Sequence, residues 1–200
     1  MPLIFAKDGH LLSTIFDSFA FDYIARQKVG GTSMTYFIVK QLPVPSPSMF
    51  GDPVPWRLDM HLESWISERL LDLCWTAWDM EAFARELGDA APPFRWDEAR
   101  RSLIRAELDA AMFHLYGLPR DDVDYVMDTF PIVRRKDEAA YGEYRTKRLI
   151  LEIYDAMAEA IRTGVPNQSV LDPEPGRGPR HPESSRPDWA TPIAVARAKR

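Results

Sequence analysis

From Gly9 to Gln27, Leu12, Ile15, Phe16, Phe19 and Tyr23 recur three or four positions apart, which puts them on one face of a helix. Asp8 stands where that helix needs a cap. Gly30-Gly31 then break the pattern. The run Thr35 to Val39, Thr-Tyr-Phe-Ile-Val, is β-branched and aromatic and predicts a strand. Five prolines between residues 43 and 55 predict an extended connector, stiff enough to hold two modules apart. Leu3-Ile4-Phe5 reads as a short strand with no cap or turn signal before it, so an upstream neighbour is expected to be missing.

Helical spacing resumes over 59–117. Leu62, Trp65, Ile66, Leu70, Leu73 and Ala77 form one apolar stripe, and Asp79 is placed to cap a short second helix ending near Gly88. Asp97 is placed to cap a third, with Ile104, Leu108, Ala111 and Leu115 inward and Gly117 as its stop. Pro119 suits the first turn of a short helix through Met127. A last helix is expected from about Ala139 to Arg162, with Leu149, Ile150, Ile153 and Met157 inward, ended by Gly164 and Pro166. The seven prolines after residue 165 predict a tail that is disordered or laid over the surface as a strap.

The expected fold class is α+β, predominantly α-helical. A helix–loop–strand unit (1–47) leads through a Pro-rich linker (48–55) to a helical module (56–165) and a Pro-rich flexible tail (166–200). Hydrophobic residues at 46% are enough for a real core. The single Cys74 rules out a disulfide within the chain, and no apolar run approaches the ~20 residues of a membrane span. A cytoplasmic protein is expected.

The net charge of −5 speaks against uniform attraction to nucleic acid, but it is unevenly spread. Residues 51–130 carry −9, whereas 1–50 carry +1, 131–165 carry +1 and 166–200 carry +2. A local cationic face is therefore compatible with the acidic total. The best candidate is the glycine loop. Gly30 and Gly31 permit close backbone approach and positive φ, Arg26 and Lys28 flank them, and Thr32 and Ser33 add hydroxyl donors. Exposed N–H groups with two cations and no bulky side chain suit a phosphate backbone. An ordinary Gly-Gly turn between two elements accounts for the same residues without a ligand.

The stretch from Phe21 to Pro45 resembles the C-terminal specificity region of TaqI-like, type IIG restriction-modification methylases. Further matching segments follow in order: Trp75-Thr-Ala-Trp-Asp79, Pro92-Pro-Phe-Arg-Trp-Asp97, Arg105-Ala-Glu-Leu-Asp109, Phe113-His-Leu-Tyr-Gly117, Arg120-Asp-Asp-Val-Asp-Tyr125, Asp128-Thr-Phe-Pro131 and Tyr141-Gly-Glu-Tyr-Arg-Thr-Lys-Arg148. The resemblance covers about residues 2–175. It implies recognition of double-stranded DNA for an adenine-N6 methyltransferase that uses S-adenosylmethionine. Catalysis would lie in an upstream region or a separate subunit. It also implies that Arg26, Lys28, Gly30, Gly31 and Thr32 touch DNA. The alternatives are a helical protein-interaction module and an inactive remnant of such a methylase.

The chain carries no catalytic set of that family. Ala91-Pro92-Pro93-Phe94 looks like the Asn/Asp/Ser-Pro-Pro-Tyr/Phe motif, but Ala91 has no side-chain acceptor for the flipped base, and no cofactor glycine loop lies upstream. A rigid helix–helix connector is the expectation. Asp121, Asp124 and Asp128 share a helical side but read as a solvated face, Asp121 and Asp122 also favouring the helix dipole. His114 and Cys74 have no ligand spacing and are expected as packed helix residues. Arg134, Arg135 and Lys136 suit phosphate contacts or surface pairing equally; for Arg145, Lys147 and Arg148, pairing with Asp137, Glu138, Glu143 and Glu152 is favoured. Trp65, Trp75, Trp78 and Trp96 are expected in the core or at an orphaned interface.

Overall fold

A computed structural model describes residues 9–31 and 34–190. The expected strand at Leu3–Phe5, the cap Asp8 and the loop residues Thr32 and Ser33 lie outside the described residues. The fold is α+β and mostly helical. Its helices are α1 (Gly9–Phe16), α2 (Phe19–Lys28), α3 (Tyr36–Val39), α4 (Leu62–Cys74), α5 (Glu81–Glu86), α6 (Glu98–Leu115), α7 (Arg120–Asp128), α8 (Pro131–Tyr141) and α9 (Arg145–Thr163). Among the described residues the only sheet is an antiparallel pair, β1 (Pro53–Val54) and β2 (Arg57–His61).

The core is organised around α6. Asp97 starts this helix by accepting from the Arg100 N–H at 3.0 Å, as its position predicts. Ile104, Ala106, Leu108, Ala110, Ala111, Met112 and Phe113 are all buried, so the second half of α6 is covered on nearly every side and needs neighbours all round. It lies along α9, whose Ile150, Ile153, Tyr154 and Met157 fall at i, i+3, i+4 and i+7 and are buried. On its other flank α4 contributes Leu62, Trp65, Ile66 and Leu70. A smaller cluster of Leu71, Trp75, Trp78, Ala84 and Phe94 closes the end of α4.

Two expected helices are each divided. The helix predicted over 9–27 breaks at Asp17-Ser18, because Ser18 accepts from the Phe21 N–H at 3.2 Å and starts α2 afresh. Asp109 of α6 accepts the Phe19 N–H at 2.9 Å, a second partner from 90 residues away. The helix predicted from Ala139 breaks at Gly142, whose φ of +76° ends α8 with an N–H bond to the Glu138 carbonyl. The Asp137 carboxylate then accepts the Thr146 N–H at the start of α9.

The predicted strand at 35–39 is also corrected. Thr35 accepts from the Ile38 N–H, and Tyr36–Val39 form one helical turn, with the Val39 N–H bonded to the Thr35 carbonyl at 3.0 Å. A strand requires a partner for its N–H and C=O groups, and among the described residues no strand runs beside this segment. The turn satisfies them internally instead. The proline connector does not stand clear of the protein either. Phe50 and Val54 join the same core as Leu11 and Met157, and Leu62 N–H closes onto the Asp52 carbonyl at 3.0 Å.

Residues 166–190 form the strap. Its attachment is polar and runs through two buried ion pairs between α4 and α6. Arg69 meets Glu107 at 2.7 Å, and Arg100 meets Asp72 at 2.6 Å. Glu107 has a second oxygen, which takes Ser169 Oγ at 2.6 Å and the Val170 N–H at 3.1 Å. Arg100 has further donors, which bond the Pro173 and Glu174 carbonyls, and Asp72 accepts the Gly176 N–H. Farther on, Arg180 pairs with Asp89 at 2.5 Å and Arg186 with Glu81 at 2.9 Å.

Removing one member of a buried pair leaves the other charge unsatisfied. Glu107→Ala is therefore expected to cost about 3–5 kcal/mol in denaturant unfolding. A Cβ at Gly178 would lie 2.8 Å from Arg100 Nε and 2.9 Å from Asp72 Oδ1. Gly178→Ala is expected to lift the strap and to speed proteolysis within 166–190, with cleavage products mapped by mass spectrometry.

Candidate nucleic-acid interface

The glycine loop is presented by α2. Phe21 and Ala25 anchor this helix in the core, Phe19 packs edge-on against Phe130 at 4.6 Å, and Tyr23 lies edge-on to Tyr125 at 6.4 Å. Lys28 stands exposed in the last turn, where its charge also favours the helix C-terminus. Gly30 and Gly31 follow, both exposed, and an added Cβ at either would meet no atom of the described residues within 4 Å. Among the described residues, nothing packs over the hinge.

Arg26 has a mixed role. Its guanidinium stacks on the Phe130 ring at 3.9 Å, pairs with Asp22 at 3.4 Å and donates to the Thr129 carbonyl at 3.3 Å. It braces α2 against the α7–α8 corner while remaining 44% exposed. This contact joins α2 to the start of α8, which opens at Pro131 and carries Arg134 in its first turn. Arg134 itself is engaged by Glu138 at 2.8 Å and Asp128 at 4.0 Å. Arg135 and Lys136 are exposed, but consecutive helical residues point about 100° apart, so the three cations do not share a face. The later cluster is largely paired. Arg148 bridges Glu143 and Glu152, and Lys147 bridges Asp124 and Asp128 at 3.1 and 2.8 Å. The expected acidic face on α7 is thereby half neutralised, and among the described residues no group of acids, histidines and cysteines is arranged to hold a metal.

The remaining candidates resolve into packing. Phe94 is fully buried; its N–H bonds the Trp75 carbonyl at 2.7 Å, and Arg180 covers its ring at 3.6 Å. That ring cannot stack on a base, and Pro92-Pro93 hold a connector. His114 bonds the Tyr154 carbonyl at 3.0 Å and stacks on the Tyr154 ring, and burial pulls its pKa down. Burial pushes the half-buried Cys74 thiol up. Trp65, Trp75 and Trp78 are core residues, whereas Trp96 is exposed beneath Arg101.

Two features carry no signal in the periodicity. One is a cleft of about 760 Å³ between α1, α2, α4, α6, α8 and α9, with Arg101, Arg105, Lys136 and Arg145 around Asp109. These residues are far apart in sequence and meet only through helix packing. The other is a bare apolar stretch after the hinge, Met34, Tyr36 and Phe37, the last 75% exposed. Its composition reads as a strand, which hid its exposure.

No family model, no curated protein and no solved structure matches the chain in comparisons of its sequence and fold. Among the described residues no helix is long and apolar enough to cross a membrane.

Burial raises the Asp109 pKa from 3.8 to about 7, with the Phe19 N–H opposing and Asp17 reinforcing. The folded carboxyl thus holds its proton more tightly than the unfolded one. Stability is fully present below about pH 4 and is lost as pH rises to about 7, then levels. The loss is on the order of 4 kcal/mol. Asp109→Asn keeps an acceptor for Phe19 and removes the charge. It is expected to raise the melting temperature at pH 8 and to flatten the stability profile between pH 4 and 7, measured by calorimetry.

Proposed function

We propose that the chain is the DNA target-recognition part of an adenine-specific (N6) DNA methyltransferase of the restriction-modification type, not catalytic by itself. The observation that carries this reading is the exposed Gly30–Gly31 hinge, open to close backbone approach and set at the end of α2 beside Lys28. The resemblance over 21–45 and the ordered segments after it support the same assignment. A duplex would lay its phosphates along the hinge and the cations beside it, with bases read by side chains reaching the groove. Arg26 orients α2 through Phe130 and supplies charge at its exposed edge. Arg135 and Lys136 add exposed positive charge on α8, on different sides of that helix.

The methyl transfer itself belongs, in this reading, to an upstream region or a separate subunit that binds S-adenosylmethionine. The locked ring of Phe94 supports that division, since the chain's nearest likeness to the base-stacking motif is packed away. A cytoplasmic location follows from the same proposal.

Electrophoretic retardation of mixed-sequence duplexes at low and moderate salt tests the reading. Phosphate contacts at the hinge predict complexes that weaken steeply with salt. Lys28→Ala removes one exposed cation and is expected to lower the logarithmic salt slope by about 1 while leaving the fold within ~0.5 kcal/mol. Arg26→Ala is expected to weaken binding and also to loosen α2. Folded wild-type protein that retards no duplex at either salt level overturns the proposal.

A further inference from the structure

Between Tyr23 and Gly51 the chain carries Arg26, Lys28 and Lys40 and no carboxylate, within a protein of net charge −5. The same stretch exposes Met34, Tyr36 and Phe37, at 43%, 53% and 75%. Neighbouring exposed apolar groups mark a candidate interaction surface, and along this stretch every charge is positive, with Asp22 one helical turn before Arg26.

The base of this projection is fixed. Leu42 is buried in the main core, Tyr116 donates its hydroxyl to the Pro43 carbonyl at 3.0 Å, and Gln41 bonds back to the Phe37 carbonyl at 3.3 Å. Thr35 caps the turn from the other side. Lys40 lies over the Tyr36 ring at 4.4 Å, so Tyr36 is buttressed by a cation while Phe37 stands farthest out. An anchored foot, one protruding aromatic ring and adjacent positive charge match a polyanion that also offers flat apolar faces.

We infer that Phe37, supported by Tyr36 and Lys40, is an aromatic wedge that enters double-stranded DNA beside the glycine hinge and stacks against an opened base step. This rests on the DNA-recognition reading above and says how the hinge would engage. The cations hold the phosphates, and the ring takes the place of one stacked neighbour, bending the duplex locally. The contact is apolar and releases no counterions, so its contribution is insensitive to salt.

The test uses the full chain and a pool of random-sequence duplexes bearing 2-aminopurine, whose fluorescence rises on unstacking. The wild type is expected to bind and to raise the fluorescence. Phe37→Ala is expected to weaken binding roughly tenfold, the scale of one base–aromatic stack, and to abolish the rise with the salt slope unchanged. Phe37→Trp is expected to restore both. The residue is mostly exposed, so circular dichroism should show all variants folded. Wild-type binding that Phe37→Ala leaves intact overturns the wedge and spares the recognition reading. Absence of any wild-type binding overturns both. If Phe37→Ala instead dissolves a self-associated species in sedimentation without altering DNA affinity, the face joins copies of the chain and the wedge is overturned.

Discussion

The structure depends on two arginine–carboxylate pairs sealed between α4 and α6. Taking such charges out of water costs several kcal/mol per ion, which is recovered only when every remaining donor and acceptor finds a partner. Arg69 and Glu107, with Arg100 and Asp72, do not complete their own hydrogen bonding within the two helices. The strap supplies what is missing, offering Ser169, Val170 and Gly176 as donors and the Pro173 and Glu174 carbonyls as acceptors. A proline-rich segment with little apolar surface is thereby held by polar complementarity, and only Leu171 of its first part enters the main core. The order of the tail and the stability of the helical body are one problem.

The same central helix governs the candidate interface. Asp109 reaches from α6 to cap α2 at Phe19, and Phe130 receives both the Phe19 ring and the Arg26 guanidinium. The hinge is therefore displayed from a helix held at both ends. The cost of that arrangement is a carboxyl buried without a cation in contact, which shows in its raised pKa.

Charge is divided spatially as well as along the chain. Much of the acidic block is consumed: Asp72 and Glu107 inside, Glu81 and Asp89 on the strap arginines, Asp124 and Asp128 on Lys147. The stretch from Arg26 to Lys40, which carries the hinge and its apolar projection, holds only cations, with the Asp22 carboxylate one helical turn before Arg26. A local field of that kind acts within a Debye length, about 8–10 Å at physiological salt, and tolerates a negative total.

Helix identity was legible wherever periodicity and caps agreed: Asp97 and Gly117 bound α6, Pro119 precedes α7, and Gly164 ends α9 at φ +72°. The rejected Pro-Pro-Phe motif and the exposure of the glycine pair were legible too, because each turned on the chemistry of single residues. The breaks at Ser18 and Gly142 were not, since Phe19 and Thr146 are completed by carboxylates of other helices. Nor was the fate of Thr35 to Val39, where local preference for a strand yields to a helical turn when no partner strand lies alongside. Local sequence determines what a segment can form from its own backbone and side chains. Which charges are spent, which tail is tied down and which aromatic ring is left bare depend on groups brought together across the chain, and only tertiary packing decides them.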